Sequence, residues 1–311
     1  MTGRRALLAG AALLMSAAAA AGVVHSGDAI ITVRSQGPAP DVGEDGLLVW
    51  VRRAASIVSG YYGTFPTRSM SLEVTIGDGD RVTSGRTYGT PQPHTEVHLG
   101  RHVSAARLSQ DWILVHEMIH LAAPELADAQ DWLAEGLATY VEGIARVQAG
   151  NMSAAELWAE YLANMPRGLP QAGDRGLDHT HTWARTYWGG ALFCLLADVR
   201  IHELTGNRAA LQDALRAIQR VAGGMAVRWP VERVLAIGDA ATGTTVLRDL
   251  YADMKDRPVQ PDLAQLWREL GIQADGDTVR LDETARLAGV RRAITAPVAA
   301  AALQPPATAS P

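Results

Sequence analysis

The stretch VHEMIH, residues 115–120, places His116 and His120 four positions apart, with Glu117 directly after the first histidine. On an α-helix, positions i and i+4 share one face, so both imidazole rings can direct a nitrogen at one ion. Glu117 is about 100° further round the helix and would lie beside that ion, where a base is needed. The spacing therefore predicts a helical zinc site of the hydrolase type, with Glu117 as the general base.

The residues around this motif are apolar and uncharged, which predicts that the helix is buried. They are Ile113, Leu114, Val115, Met118, Ile119 and Leu121. Because unpaired polar groups are costly in a protein interior, a buried helix with two histidines and a carboxylate needs a reason. Zinc binding is one explanation. The alternative is a pair of core histidines bonded to backbone or carboxylate groups.

A catalytic zinc ion takes three protein ligands and keeps a fourth position for water, so a third ligand must come from elsewhere. The nearest carboxylates after the motif are Glu125, Asp128, Asp131 and Glu135. The first two lie in a polar connector after Pro124, where solvation explains them, and Asp131 is expected to be the N-cap of the next helix.

Glu135 is the carboxylate that we expect to complete the site. It is the only carboxylate on the apolar turn WLAEGLATY (132–140), and Gly136 beside it allows close packing against the first helix. Two antiparallel helices joined by a short connector would bring this turn opposite the histidines. The predicted ligands of one zinc ion are therefore His116, His120 and Glu135.

HEMIH followed by WLAEGLATY, with 14 residues between His120 and Glu135, resembles the gluzincin zinc metallopeptidases. In those enzymes the glutamate of a W-x-x-E-G segment is the third zinc ligand. The segment at 185–207 is similar to the glycyl aminopeptidase family and, more loosely, to the aminopeptidase N family. There, a Tyr-x-x-Gly pattern supplies a tyrosine that hydrogen-bonds the oxyanion, and Tyr187 with Gly190 matches that pattern.

This resemblance implies peptide hydrolysis, but one motif of those families is not matched. They carry a Gly-x-Met-Glu motif upstream, whose glutamate holds the free amine of the substrate. The corresponding stretch, 85–100, contains one carboxylate, Glu96, outside any such motif. Aminopeptidase activity and endopeptidase or amidase activity therefore both stay open.

The order of predicted elements places the chain in the α+β class, a small mixed β-sheet followed by a mainly helical zincin lobe. Hydrophobic patterns predict strands at 28–34, 71–76 and 95–99, with a Gly- and Pro-rich loop before the last of them. We hypothesise that 95–99 is an edge strand that pairs with an extended peptide. From residue 109 onward the pattern is almost entirely helical.

We expect one gluzincin-like catalytic domain over residues 28–295, divided into a sheet part at 28–105 and a helical part at 106–295. The Ala- and Pro-rich tail at 296–311 is predicted to be disordered.

Residues 1–24 are predicted to be a signal peptide. Arg4 and Arg5 form its basic start, an Ala- and Leu-rich run follows, and small-x-small cleavage options cluster at 17–21. An uncleaved anchor and export by a twin-arginine route are the alternatives. We therefore expect an exported protein, periplasmic or extracellular, with no stable membrane insertion after cleavage. Its only cysteine, Cys194, excludes an intramolecular disulfide.

The charge balance argues against some partners. Without the two signal arginines, 26 basic residues face 33 acidic ones, a net charge of about −7 with neutral histidines. Nucleic acid and anionic membrane surfaces are therefore not expected as partners. The expected partner is a peptide or protein substrate, and the sequence does not indicate an oligomeric state.

Three other polar residues have open roles. Glu142 lies two helical turns after Glu135 and is either a carboxylate that orients a ligand histidine or a solvated surface residue. His179 and His181, in the loop LDHTHTW, are expected to line the substrate site or the surface and not to bind metal.

The sequence thus predicts an exported monozinc peptidase, in which Glu117 is the base and the resemblance assigns oxyanion stabilisation to Tyr187. The alternative is a catalytically inactive binding module of the cell envelope on the same scaffold.

Overall fold

A five-stranded sheet begins the described part of the chain, residues 19–297 of this computed structural model. Its strands are β1 (Ala19–Ser26), β2 (Ala29–Gln36), β3 (Ser69–Gly77), β4 (Val82–Tyr88) and β5 (His94–Gly100). They lie in the order β1-β2-β3-β5-β4. Strands β2, β3 and β5 are parallel, and the two outer strands are antiparallel to their neighbours.

Alternating apolar residues along the strands build the core on one face of this sheet. In β3, Met70, Leu72, Val74 and Ile76 are all buried, and the residues between them are more exposed. Helix α1 (Gly43–Tyr62) connects the parallel strands β2 and β3, because such a pair needs a crossover and not a hairpin. Its buried side, which includes Leu47, faces this same core.

The rest of the described chain is mainly helical, which confirms the α+β class. The helices are α2 (Ala105–Ser109), α3 (Ile113–His120), α4 (Asp131–Gln148), α5 (Ala154–Asn164), α6 (Gly190–Thr205), α7 (Leu211–Ala222), α8 (Val231–Thr242), α9 (Val246–Met254), α10 (Leu263–Leu270) and α11 (Ala288–Thr295). A hairpin of β6 (Ile272–Asp275) and β7 (Thr278–Leu281) precedes the last helix. Within residues 19–297, no helix combines the length and the apolar character that crossing a membrane requires.

The prediction that residues 95–99 form an edge strand is wrong. They belong to β5, which has β3 on one side and β4 on the other. The edge strand is β4, in a stretch that the sequence predicted as loop because of its glycines and following prolines. Gly85 lies inside this strand where a side chain has no room, since a Cβ atom there would come within 2.5 Å of Glu117 Cγ.

Strand β1 overlaps the segment predicted as a signal peptide. Val24 is 1% exposed and belongs to the hydrophobic core, and its strand pairs with β2 from Ala19 to Ser26. Residues 1–18 lie outside the described part of the chain, as does the tail from 298 onward. The signal peptide and the disordered tail stay predictions.

Helices α4 and α6 approach closely through two glycines. A Cβ atom on Gly136 would clash with the backbone of Gly190, and one on Gly190 would clash with the carbonyl oxygen of Trp132. Only residues without a side chain allow this distance. The contact brings the start of α6, and with it Tyr187, next to the turn of α4 that carries Glu135.

Candidate metal centre

Two helices bring together the three predicted zinc ligands. Helix α3 carries His116 and His120 one turn apart, and α4 carries Glu135. Glu135 Oε2 lies 3.2 Å from His116 Nε2 and 3.6 Å from His120 Nε2. Among the described residues these three form a group whose possible ligand atoms all lie within 4.8 Å of one another.

The spacing and the chemistry of this group fit zinc. Tetrahedral coordination with bonds of about 2.0–2.1 Å separates neighbouring ligand atoms by about 3.4 Å, close to the two distances observed here. Burial lowers the pKa of His116, so its ring favours the neutral form that can bind a metal. Burial raises the pKa of Glu135, but its close contacts with both histidines outweigh this effect and hold the pKa well below its usual range.

The predicted base, Glu117, is held by the edge strand β4. Thr87 Oγ1 lies 2.9 Å from Glu117 Oε2, 3.0 Å from the backbone oxygen of Glu117 and 2.9 Å from Thr95 Oγ1. Because Gly85 has no side chain, the Glu117 side chain can pack directly against the strand. Glu117 is 7% exposed and is absent from the group of three metal-binding candidates.

Tyr187 lies on a short π-helical turn, Arg185–Gly189, directly before α6. Such wide turns often occur at functional sites because they redirect a side chain. Its ring stacks on His116 with 6.3 Å between centroids. Burial, together with the negative charge of Glu135, raises the pKa of Tyr187 to about 12, so the phenol keeps its proton at neutral pH and can donate it in a hydrogen bond.

A cavity of about 560 Å³ opens beside these residues. Its lining includes Glu117, His120, Glu135 and Tyr187, together with Arg86 and Thr87 of the edge strand. We call it the metal-side cavity. Substrate-sized groups can therefore reach two of the three candidate ligands, the candidate base and the tyrosine from one opening.

The other carboxylates considered as a third ligand do not join the histidines. Glu125, Asp128 and Asp131 line the metal-side cavity but are absent from the metal-binding group. Asp131 is also not the expected N-cap, because α4 begins at this residue and no side chain caps it. Glu96 lies on β5 and is absent from the cavity lining, so it is not placed to hold a substrate amine there.

Neither proposed role of Glu142 agrees with the structure. It is buried, 5% exposed, and pairs with Arg146 at 3.4 Å. Within the described residues it forms no hydrogen bond with either ligand histidine, and His116 Nδ1 has no partner. His179 bonds Asp256 at the surface, and His181 is exposed, so neither belongs to the metal-binding group.

Sequence reasoning missed Gly85 and Thr87 because it assigned their strand to a loop. The available signal was the stretch VTSGRTY (82–88), in which Val, Thr and Tyr favour a strand. That signal identifies a strand at most. The contact with Glu117 joins residues 30 positions apart and could not be derived from local pattern.

The fold is similar to solved structures of zinc metallopeptidases. It matches an aminopeptidase N family protein from Idiomarina loihiensis with a TM-score of 0.60 at 14% identity, over 85% of this chain and 52% of that one. It matches a mutant of an M1 zinc metallopeptidase from Deinococcus radiodurans with a TM-score of 0.51 at 18% identity, over 78% of this chain and 52% of that one.

A mutant of the Deinococcus radiodurans M1 zinc metallopeptidase, bound to a Tyr-Ser-Ala substrate, gives a TM-score of 0.50 at 18% identity, over 78% of this chain and 53% of that one. No family model and no curated protein matches the sequence. At these identities the matches establish the fold, which is that of the M1 zinc metallopeptidases. The chain spans about half the length of these relatives.

We expect Glu135→Ala to abolish or greatly weaken zinc binding. The variant leaves only two of three ligands, and the buried histidines lose their anionic partner. Elemental analysis of purified protein should find one zinc ion per wild-type chain and much less in the variant. Glu125→Ala is the matched control, because it removes a carboxylate from the same cavity without touching the group of three. Equal zinc content in all three proteins would contradict the assignment of Glu135.

Proposed function

We propose that this protein is an exported, zinc-dependent peptidase. The observation that carries the proposal is the meeting of His116, His120 and Glu135 beside Glu117, in the fold of the M1 zinc metallopeptidases. A structure with this fold contains a bound Tyr-Ser-Ala substrate, which supports a peptide as the substrate class here. The sequence motifs support the same reaction independently of the fold.

Each residue has a defined task in peptide hydrolysis. A zinc ion held by His116, His120 and Glu135 would act as a Lewis acid toward water and the scissile carbonyl. Glu117 accepts a proton from the attacking water and delivers it to the departing amine nitrogen as the C–N bond breaks. Tyr187 donates a hydrogen bond to the oxygen that becomes negative during the attack.

The edge strand β4 offers a binding surface for the peptide backbone. Within residues 19–297 no strand pairs with the outer side of β4, and its Gly85, Arg86 and Thr87 line the metal-side cavity. An extended peptide can add to such an edge through main-chain hydrogen bonds. We therefore assign to β4 the pairing with an extended peptide that was hypothesised for residues 95–99.

The position of cleavage within a peptide is a separate question. Strand β4 carries no carboxylate, and Glu96 is outside the metal-side cavity, so neither supplies the amine contact of an aminopeptidase. Glu125 and Asp131 are carboxylates in the cavity lining that could serve a free amine. Matched peptides with free and acetylated N-termini separate the two activities, since only an aminopeptidase requires the free amine.

Export rests on the sequence of the first 24 residues, and the fold limits where cleavage can fall. Removing all 24 would take away Val24, a buried residue of β1. We therefore expect the mature protein in the envelope or medium to begin at or before Gly22, consistent with a cleavage site within 17–21. Cell fractionation and N-terminal mass spectrometry provide the test. A mature N-terminus beyond Gly22, or retention in the cytoplasm, would contradict this part of the proposal.

Glu117→Gln should reduce kcat by about 10²–10⁴-fold while leaving the zinc content unchanged, because it removes the base and none of the ligands. Glu96→Gln, the same substitution on an exposed strand residue, should behave as wild type. The measurement is steady-state hydrolysis of a peptide library, with zinc analysis of each variant. If cells expressing only Glu117→Gln keep all function of the protein, the inactive binding module becomes the better explanation.

Thr87→Val should lower kcat by about tenfold or more, since the variant removes a hydrogen bond to a charged carboxylate but keeps the shape of the side chain. Thr87→Ser keeps a hydroxyl and should retain most activity. Both variants require kcat and KM measured separately, because orientation of the base affects kcat more than KM. Equal losses in the two variants would show that packing, and not the hydroxyl, explains the effect.

A further inference from the structure

A second cavity, of about 500 Å³, adjoins the metal-side cavity. Both are lined by Gly85, Glu117 and Tyr187, so they meet at the candidate base and the candidate oxyanion donor. Its distinguishing walls are Trp112, Trp183 and Trp188, and we call it the tryptophan cavity. A peptide bound across Glu117 would place one side chain at or near this second opening.

Two of the three indole rings are exposed. Trp112 is 49% exposed and Trp183 is 56% exposed. Trp183 stacks on Tyr187 with 5.3 Å between ring centroids, and Trp112 lies edge-on to His116 with 5.8 Å between centroids. Both tryptophans therefore contact residues of the candidate site and line a cavity that a ligand can enter, and Arg167 also lies over the Trp183 ring. Exposed aromatic surface next to a reaction centre is typical of a side-chain subsite.

Besides Glu117, the same cavity is lined by two carboxyl groups, those of Glu142 and Glu160. Arg146 contacts Glu142 at 3.4 Å, and its other donors go to Asn151 Oδ1 and the Gln110 oxygen. The Glu160 carboxyl forms no hydrogen bond or ion pair with any described residue. The two carboxyl groups therefore have one arginine partner between them, and it contacts Glu142 only.

The directions of the pKa shifts of Glu142 and Glu160 agree with a shortage of positive charge beside these two groups. Burial, together with the neighbouring Glu160, raises the pKa of Glu142 to about 8, although Arg146 opposes the change. Burial likewise raises the pKa of Glu160. A second cation in the cavity would favour the ionised form of both groups.

The rim of the cavity already shows how a cation can be held there. The guanidinium carbon of Arg167 lies 5.0 Å from the centroid of the Trp183 ring. Arg167 is exposed, bonds Asn164 Oδ1 and forms no ion pair with Glu142 or Glu160 among the described residues. The cavity thus also has Trp112 and Trp188 in its wall and, in Glu160, a carboxyl group without an ion-pair partner among the described residues, a combination suited to a guanidinium or ammonium group.

We propose that the tryptophan cavity is a specificity subsite that receives an arginine or lysine side chain from a residue flanking the scissile bond. The aliphatic part of the side chain packs between the tryptophan rings, and its charged end reaches Glu160. This inference rests on the proposed peptidase function, which it narrows to substrates with a basic residue at one defined position.

The test uses peptides of one sequence in which each residue flanking the scissile bond is arginine, lysine, norleucine or glutamate. For wild-type enzyme, kcat/KM should be at least about tenfold higher with a basic residue than with norleucine at one of the two positions. Glu160→Gln should reduce this preference by about tenfold and leave norleucine cleavage unchanged, because it removes one charge-assisted contact. Trp183→Leu should also reduce the preference, and Glu96→Gln should preserve it.

A binding measurement separates failure of the subsite from failure of the proposed function. Isothermal titration with N-acetyl-arginine amide and N-acetyl-norleucine amide needs no hydrolysis. If wild type cleaves no peptide but binds the arginine amide more tightly, and Glu160→Gln removes that difference, the peptidase proposal fails and the cationic site stands. Equal binding of both amides, or a preference that Glu160→Gln leaves unchanged, would overturn the subsite.

Discussion

The contact of Glu135 with His116 and His120 is the constraint on which the arrangement of the helical part depends. Two imidazoles and a carboxylate are brought together between α3 and α4, where each would be costly without a partner. Their mutual distances suit a zinc ion, which would neutralise the carboxylate and bind one nitrogen of each imidazole ring. The glycine contact between α4 and α6 then fixes Tyr187 next to the same group. Helix packing and metal-ligand geometry thus support one another.

The edge strand β4 supplies the contacts that orient the Glu117 carboxylate. A base beside a metal must hold its carboxylate in one orientation, and a free Glu117 side chain on a helix would have several rotamers. Thr87 bonds this carboxylate, and Gly85 leaves room for it. The same strand presents an open edge to the metal-side cavity. One strand can therefore orient the base and align an extended peptide. The scissile bond and the Glu117 carboxylate would then be held in a fixed position relative to each other.

Local pattern predicted the helical part of this site and failed on the sheet. The i, i+4 spacing of His116 and His120 and the lone carboxylate at Glu135 are consequences of helix periodicity, which a sequence displays directly. Strand β4 was not predicted because glycine is normally unfavourable in a strand. Glycine is needed at position 85 because the Glu117 side chain, far away in sequence, packs against it. The burial of Glu142 was missed for a similar reason, since the partner that permits it, Arg146, had no assigned role in the sequence pattern.

The candidate metal centre and the proposed subsite lie in two cavities that share Glu117 and Tyr187 in their linings. The metal-side cavity contains His120 and Glu135, and the tryptophan cavity contains no candidate metal ligand except His116, among the described residues. Substitutions at Glu160 or Trp183 can therefore change which side chain is preferred without altering the candidate zinc ligands. Because Trp183 stacks on Tyr187, a side chain that packs against this indole would also restrict the movement of Tyr187, the candidate oxyanion donor. Occupancy of the subsite would then favour the reactive position of Tyr187. The preference for a basic side chain would therefore appear in kcat as well as in KM.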